Sequence, residues 1–517
     1  MRRRKFLRHI THSMAIPGLA GSLGLTNGYS MNLQKLLSMA SAEGKVLVLI
    51  FLEGGNDGLN TVIPLNRMSA MSQVRPHVFL PESRLLKLPG KDLALHPALK
   101  NLRSLYTENR LGIVQSVGYP DQNFSHFRST DIWMSGSNSD ELINNGWIGR
   151  HLASDFQGYP EQFPNEEHPD PLAIEIGNGG SLLFQGPEAA MSMVLSGADS
   201  FYKLLNNEEE EAPATKAGDK LRFIRLIARQ AEQYGDVVLE AARKANNLAD
   251  YEADDLSQQL QIVARLIAGG LQTPLYMVRL GGFDTHDNQV ESSDHTLGEH
   301  TELLKALDDG IMSFMTDLEQ HNIADRVVGM TFSEFGRRIT SNASLGTDHG
   351  TAAPLFVFGN KVQGDVLGEN PIFSESATYQ DNIAMQYDFR QVYASMLSQW
   401  FEKDDQSVEN TLLRNFEQIP LIGDGVITSV SNDVFGAEIS VYPNPIQETT
   451  IIRYIADGSP VKIDLYGING QLVERIYRGA AGAGKNEILW HTSQLQPGQY
   501  VVRLQGEKLN GYFKVIK

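Results

Sequence analysis

Cysteine is absent from all 517 residues, which excludes disulfides, thiolate metal sites and cysteine nucleophiles together. A chain of this length buries a large core without covalent staples, so the absence is compatible with life outside the cell. Beyond the N-terminal stretch no segment approaches the roughly 18 consecutive apolar residues of a spanning helix, and no membrane span is expected in the mature protein. Clustered cations are missing too. With 44 basic against 62 acidic residues the formal net charge is −18, which argues against nucleic acid and anionic lipid as partners. Neither His-Glu-x-x-His nor Gly-x-Ser-x-Gly occurs, so peptidase action finds no support. There is no internal repeat. What is present is ordinary for a globular chain, with 41% hydrophobic and 21% charged residues and length for two to four domains.

The two ends differ from the middle. Arg3-Arg4-Lys5-Phe6-Leu7-Arg8 is followed by a mildly apolar, glycine-containing stretch from Met14 to about Leu25. It is similar to a twin-arginine signal peptide, taken as residues 1–30. That resemblance implies the twin-arginine translocase as a partner and passage to the periplasm in a folded state. From Phe435 onward short alternating runs such as Val461 to Tyr466 and Gln499 to Leu504 are divided by Asn469-Gly470 and Pro497-Gly498. Period-two patterning with such turns predicts a small antiparallel all-β sandwich over 437–517, after a linker over 421–436. Val441-Tyr442-Pro443-Asn444-Pro445, Leu495 to Arg503 and the terminal Lys514-Val515-Ile516-Lys517 resemble the type A sorting domain of the type IX (Por) secretion system. The resemblance implies the type IX machinery as a partner and the cell surface or exterior as destination. A carbohydrate-binding sandwich is the alternative, though no exposed aromatic platform stands out.

Residues 45–420 carry the chemistry. Lys45 to Leu52 is a continuous apolar run, as a strand buried on both faces of a parallel sheet requires. Further strands are expected at Leu111–Val117, Pro274–Leu280, Arg326–Phe332 and Pro354–Gly359, and helices within 219–268 and at Thr296–Gln320. Strands alternating with helices predict an α/β domain with a doubly wound, mostly parallel sheet. Glu208 to Glu211 reads as a solvated insertion loop. Functional groups in such sheets collect at the carboxyl ends of the strands. There the sequence places Asp57, then Ser125, His126 and Arg128, then Asp284 and His286, then Glu334, then Asp348 and His349. Carboxylates gathered in one crevice would raise each other's pKa unless cations neutralise them. Divalent metals are the usual solution, with Asp, Glu and His as ligands.

The motifs Gly54 to Asn60, Phe124 to Phe127, Gly281 to His286, Ser333 to Arg337, Gly346 to Gly350 and Asp388 to Tyr393 resemble the "domain of unknown function fifteen-oh-one" family. That family looks like a distant branch of the alkaline phosphatase and sulfatase superfamily. The resemblance implies Asp57, Asp284, His286, Glu334 and His349 as metal ligands, with Asp348 or His126 supplying a missing contact. It implies Ser125 as nucleophile, His126 or Arg128 on the oxyanion, and Zn, Mn or Ca as the ion. Two departures stand out. Asp284 and His286 are two residues apart where a phosphatase spaces them by four, and Phe335 replaces a ligand. Ser125-His126-Phe127-Arg128 also lacks the proline of formylglycine sulfatases. Ser125 reads equally well as the N-cap of a helix starting near His126. The expectation is an exported metal-dependent hydrolase of small anionic phosphate or sulfate esters; the alternative is an inactive binding protein that keeps the fold.

Overall fold

The computed structural model describes residues 44–423 except 178 and 196–233, and residues 439–517 except 443–445, 447–448, 468–470, 497 and 507–509. The signal-like residues 1–30 and the acidic insertion at Glu208 to Glu211 lie outside the described residues, as do 424–436 of the linker. Leu421 and Ile422, assigned above to that linker, instead pack in the central core, where Gln363 N donates to Leu421 O at 2.7 Å.

A nine-stranded sheet organises the central region. Its strands are β1 (Val46–Leu52), β2 (Leu111–Gly118), β3 (Ala173–Ile176), β4 (Met193–Leu195), β5 (Leu275–Leu280), β6 (Val327–Phe332), β9 (Ala353–Phe358), β10 (Val366–Leu367) and β11 (Tyr387–Asp388); β7 (Arg337–Ser341) and β8 (Thr347–His349) form a separate hairpin. The order across the sheet is β10-β2-β9-β6-β1-β5-β3-β4, with β11 also beside β2. Strand β1 lies parallel between β5 and β6. All seven of its residues are buried, which explains an apolar run without alternation. Val46, Val48, Ile50 and Leu52 face helices α1 (Lys100–Thr107), α4 (Asp255–Ala268) and α5 (Glu299–Gln320). Leu47, Leu49 and Phe51 face α2 (His126–Ser135), α3 (Trp147–Asp155) and α6 (Phe389–Ser395).

The sheet is mixed, because β9 runs antiparallel to both neighbours, β2 and β6. Its first residue, Ala353, pairs with Val117 near the end of β2. The chain therefore enters β9 at the edge where the parallel strands end. The stretch 346–350 contains β8, which pairs antiparallel with β7.

At the C-terminus, β12 (Ile439–Tyr442), β13 (Thr449–Asp457) and β16 (Ala483–His491) form one sheet. β14 (Pro460–Gly467), β15 (Leu472–Ala480), β17 (Gln499–Gln505) and β18 (Asn510–Ile516) form another. All their pairings are antiparallel. Ile452, Tyr454 and Trp490 from the first sheet and Ile463, Leu465, Val502 and Val515 from the second share one core. The expected sandwich is therefore present.

Three histidines in the central region are buried without charge. Burial lowers His96 to about 3, helped by His300; it lowers His300 to about 4 and His151 to about 4. A histidine depressed in the fold takes up its proton in the unfolded chain first, near its ordinary value of 6.5. Stability from these groups is thus complete above about pH 6.5 and drains away as pH falls towards 4, by a few kcal/mol each at most. The urea midpoint should hold steady from pH 8 to 7 and decline below 6.5. His300→Gln, which can still donate to Asn56 Oδ1 as His300 Nε2 does at 3.0 Å, should show a shallower decline. An equally steep acid slope in that variant would disprove the assignment.

Candidate metal centre

The loop after β1 must pass close under the loop after β5, and two glycines allow it. Gly54 has φ 122° and Gly55 φ 86°. A Cβ on Gly54 would sit 2.2 Å from the Asp284 amide nitrogen, and one on Gly55 2.4 Å from the Phe335 ring. No side chain fits either place. The approach brings the Gly54 amide to Glu334, to whose Oε1 it donates at 2.9 Å.

On the same Oε1 rests the His126 Nδ1, 2.8 Å away. His126 opens α2, and its Nε2 reaches Asp284 Oδ2 at 3.3 Å. Asp284 Oδ1 lies 3.0 Å from His349 Nε2 and 3.2 Å from His286 Nε2. Those two imidazole nitrogens are 2.9 Å apart. Behind them, His286 Nδ1 meets Asp348 Oδ1 at 3.0 Å and His349 Nδ1 meets the Phe124 carbonyl at 2.8 Å. The hairpin β7–β8 and the entry to β9 bring His349 to this edge. Phe335, fully buried, packs its ring 5.0 Å from His126 and 4.6 Å from His349. The residue that displaces an expected ligand thus props two imidazoles.

Among the described residues, His126, Asp284 and His349 form a group whose ligand atoms all lie within 4.8 Å of one another. Imidazole nitrogens around a carboxylate are a fitting donor set for a borderline divalent ion. The electrostatics differ from a crowd of repelling carboxylates. Burial pushes Asp284 up, but the close contacts of His349 and Arg337 and the charges of Arg337 and His286 outweigh it and hold the carboxyl at about 2. Asp348 is also lowered: burial opposes this, and the bonds from His286 and Asn342 prevail. The bond to Glu334 raises His126 against the effect of burial, whereas burial lowers His349.

Two expected site residues are committed elsewhere. Asp57 Oδ2 is paired with Arg75 and accepts from Gln289 Nε2 at 2.6 Å. Its Oδ1 is buried without a hydrogen-bond partner. The carboxylate lies outside that close group. The Arg128 guanidinium donates to the carbonyls of Asn138, Ser139 and Glu141 rather than aiming at an oxyanion. Ser125 occupies the N-cap of α2 without making a side-chain capping bond, and is exposed. The capping role is therefore not realised, and its hydroxyl is open to solvent. Glu334 and Asp348 contact the Nδ1 sides of His126 and His286, away from the nitrogens that face Asp284.

Arg337 was quoted in a motif above but given no role. Its fully buried guanidinium donates to the carbonyls of Gly54, Gly55, Phe283 and Thr347 and to Asp284 Oδ1 at 2.7 Å. It ties the loops after β1 and β5 to β8. Nothing in the local pattern Phe335-Gly336-Arg337 signals a buried cation.

No curated protein matches this chain. Among solved structures it is similar to a protein of the alkaline phosphatase superfamily from Vibrio parahaemolyticus, at 9% identity over 90% of this chain and 83% of that one, with a TM-score of 0.33. It is also similar to a sulfatase from Pseudoalteromonas sp., at 10% identity over 89% and 86% of the two chains, TM-score 0.34. A phosphonate monoester hydrolase from Silicibacter pomeroyi aligns at 8% identity over 91% and 89%, TM-score 0.33. Residues 440–517 match the secretion system C-terminal sorting domain. That tail indicates a secreted, cell-surface or extracellular protein and implies engagement with the type IX machinery. Among the described residues no helix is long and apolar enough to cross a membrane. The profile described as "Protein of unknown function (DUF1501)" matches residues 107–412, more than half of the chain, and the chain belongs to that family.

Proposed function

We propose that this chain is an exported, metal-dependent hydrolase of phosphate or sulfate esters. The observation that carries the reading is the convergence of His126, Asp284 and His349 at the strand-end edge of the sheet, beside the N-terminus of α2. A divalent ion held there would acidify a hydroxyl or water and neutralise charge on an ester oxygen. Ser125, exposed and one residue before His126, is the nucleophile on this reading. The first amides of α2 favour both its alkoxide and an anionic substrate. Arg128 is not needed for this, being held by carbonyls. On the same reading residues 1–30 direct the folded chain through the twin-arginine translocase to the periplasm, and 437–517 take it further.

The lock on Asp57 and the turned-away Arg128 favour a second reading, an inactive binding protein. Turnover of an aryl phosphate and an aryl sulfate by purified full-length protein separates the two. Hydrolysis should vanish on chelation and return with added Zn2+. Asp284→Asn should lose on the order of a hundredfold or more, as when charge stabilisation at a reacting centre is removed. Metal-loaded protein that turns over neither ester would establish the binding reading instead.

A further inference from the structure

Each of the three imidazoles at the sheet edge has its Nδ1 on an acceptor. For His126 it is the Glu334 carboxylate at 2.8 Å, for His286 the Asp348 carboxylate at 3.0 Å, and for His349 the Phe124 carbonyl at 2.8 Å. A neutral imidazole has a single N–H. Spent on these partners, it leaves three bare Nε2 atoms, and all three face Asp284. The separations are 2.9 Å between the His286 and His349 nitrogens, and 3.0, 3.2 and 3.3 Å from His349, His286 and His126 to the Asp284 oxygens. Lone pairs opposed at this range repel. A single proton on the His286–His349 pair relieves those two nitrogens but does not settle His126 Nε2 against Asp284 Oδ2. A cation among them does. The separations among His286 Nε2, His349 Nε2 and Asp284 Oδ1, 2.9 to 3.2 Å, come near the ~3.3 Å between ligand atoms held about 2.0–2.1 Å from a tetrahedral ion, and His126 closes the group from the Oδ2 side.

We propose that His126, His286 and His349 through Nε2, and Asp284 through one carboxylate oxygen, form a single mononuclear N3O centre. Glu334 and Asp348 are then positioning residues, not ligands. The arrangement of a carboxylate behind a ligating histidine fixes the tautomer and makes the ring a better donor. This centre differs from the set read from the sequence: of the two residues offered for the missing contact His126 is a ligand and Asp348 is not, Asp57 drops out because Arg75 and Gln289 hold its Oδ2, and Glu334 moves outward. Three imidazoles and one carboxylate select Zn2+ over Ca2+ or Mn2+. The inference rests on the metal-dependent reading for the presence of an ion, and not on hydrolysis.

Full-length protein stripped of metal is titrated with Zn2+ and, separately, with Co2+, whose visible absorption reports tetrahedral coordination. One ion per chain and a tetrahedral Co2+ spectrum are expected. His286→Ala should weaken binding as severely as His126→Ala or His349→Ala, beyond the roughly 10–100-fold range of an outer-shell change. Glu334→Gln and Asp348→Asn, which keep an acceptor for each Nδ1, should retain the Co2+ spectrum and lose about 10–100-fold in affinity. Two ions per chain, abolition of binding by Glu334→Gln or Asp57→Asn, or full affinity in His286→Ala would overturn the proposal. Tight binding of one ion without ester turnover would sink the hydrolase and leave this centre standing. Failure of the wild type to bind Zn2+ at micromolar concentration would remove both.

Discussion

Arg75→Met should lower the free energy of unfolding by about 3–5 kcal/mol, the usual size when one partner of a buried ion pair is removed. Arg75 and Asp57 are almost fully buried, at 0% and 1% side-chain exposure. Beyond Asp57, the guanidinium donates to the carbonyls of Arg338 and Ile339 at 3.3 and 3.2 Å and to Asn60 Oδ1 at 3.3 Å. Methionine fills comparable volume and supplies none of these donors. Asp57 would keep only the bond from Gln289, in surroundings where an uncompensated carboxylate is costly. The double variant Arg75→Met, Asp57→Asn should recover much of the loss, because the penalty lies in the charge left behind and not in the value of the pair. Urea unfolding of the four proteins decides the matter. A single variant within 1 kcal/mol of wild type would show that Asp57 has another means of neutralisation.

Deleting residues 437–517 should abolish delivery beyond the periplasm while leaving the central region folded. The core of the C-terminal sandwich draws its buried residues from 446–515, and the cores around the nine-stranded sheet draw theirs from 46–422. Units with separate cores tolerate separation. The truncated chain should show a cooperative urea transition and accumulate in the periplasmic fraction. Undiminished arrival at the surface would refute a sorting role for the tail, and an unfolded truncate would refute independent folding.

Some of this architecture was readable because burial leaves a simple trace. Val46–Leu52 is apolar throughout because both faces of β1 are covered, and period-two runs marked the sandwich strands. The direction of β9 was not readable, since Ala353–Phe358 is apolar throughout and looks the same whichever way it runs. Nor was β8, whose three residues Thr347, Asp348 and His349 contain nothing apolar. Strand β3 was missed because Glu175 interrupts Ala173–Ile176; in the fold that glutamate is buried and bonded to Ser181, with Arg279 at 3.5 Å. At the site, strand ends pointed to Asp284, His286 and His349, which the fold brings together, but partners decide roles. Arg75, which holds Asp57, follows a short helix with no distinguishing motif. The carbonyls that hold Arg128 belong to a turn ten to thirteen residues away.

The antiparallel course of β9 bears on how the site comes into being. His126 follows β2, Asp284 and His286 follow β5, and His349 ends the hairpin that leads into β9, which must slot between β2 and β6. Glu334 stands 208 positions from the histidine it contacts, and His349 65 from Asp284. No fragment of the chain holds the pocket, so an ion gathered there would certify that the last inner strand has been inserted. Binding confined to the finished fold adds stability by mass action, ~2.7 kcal/mol at a hundredfold excess over Kd. An ion bound there would then act as a seal on the finished fold, kept or lost with the metal supply around it.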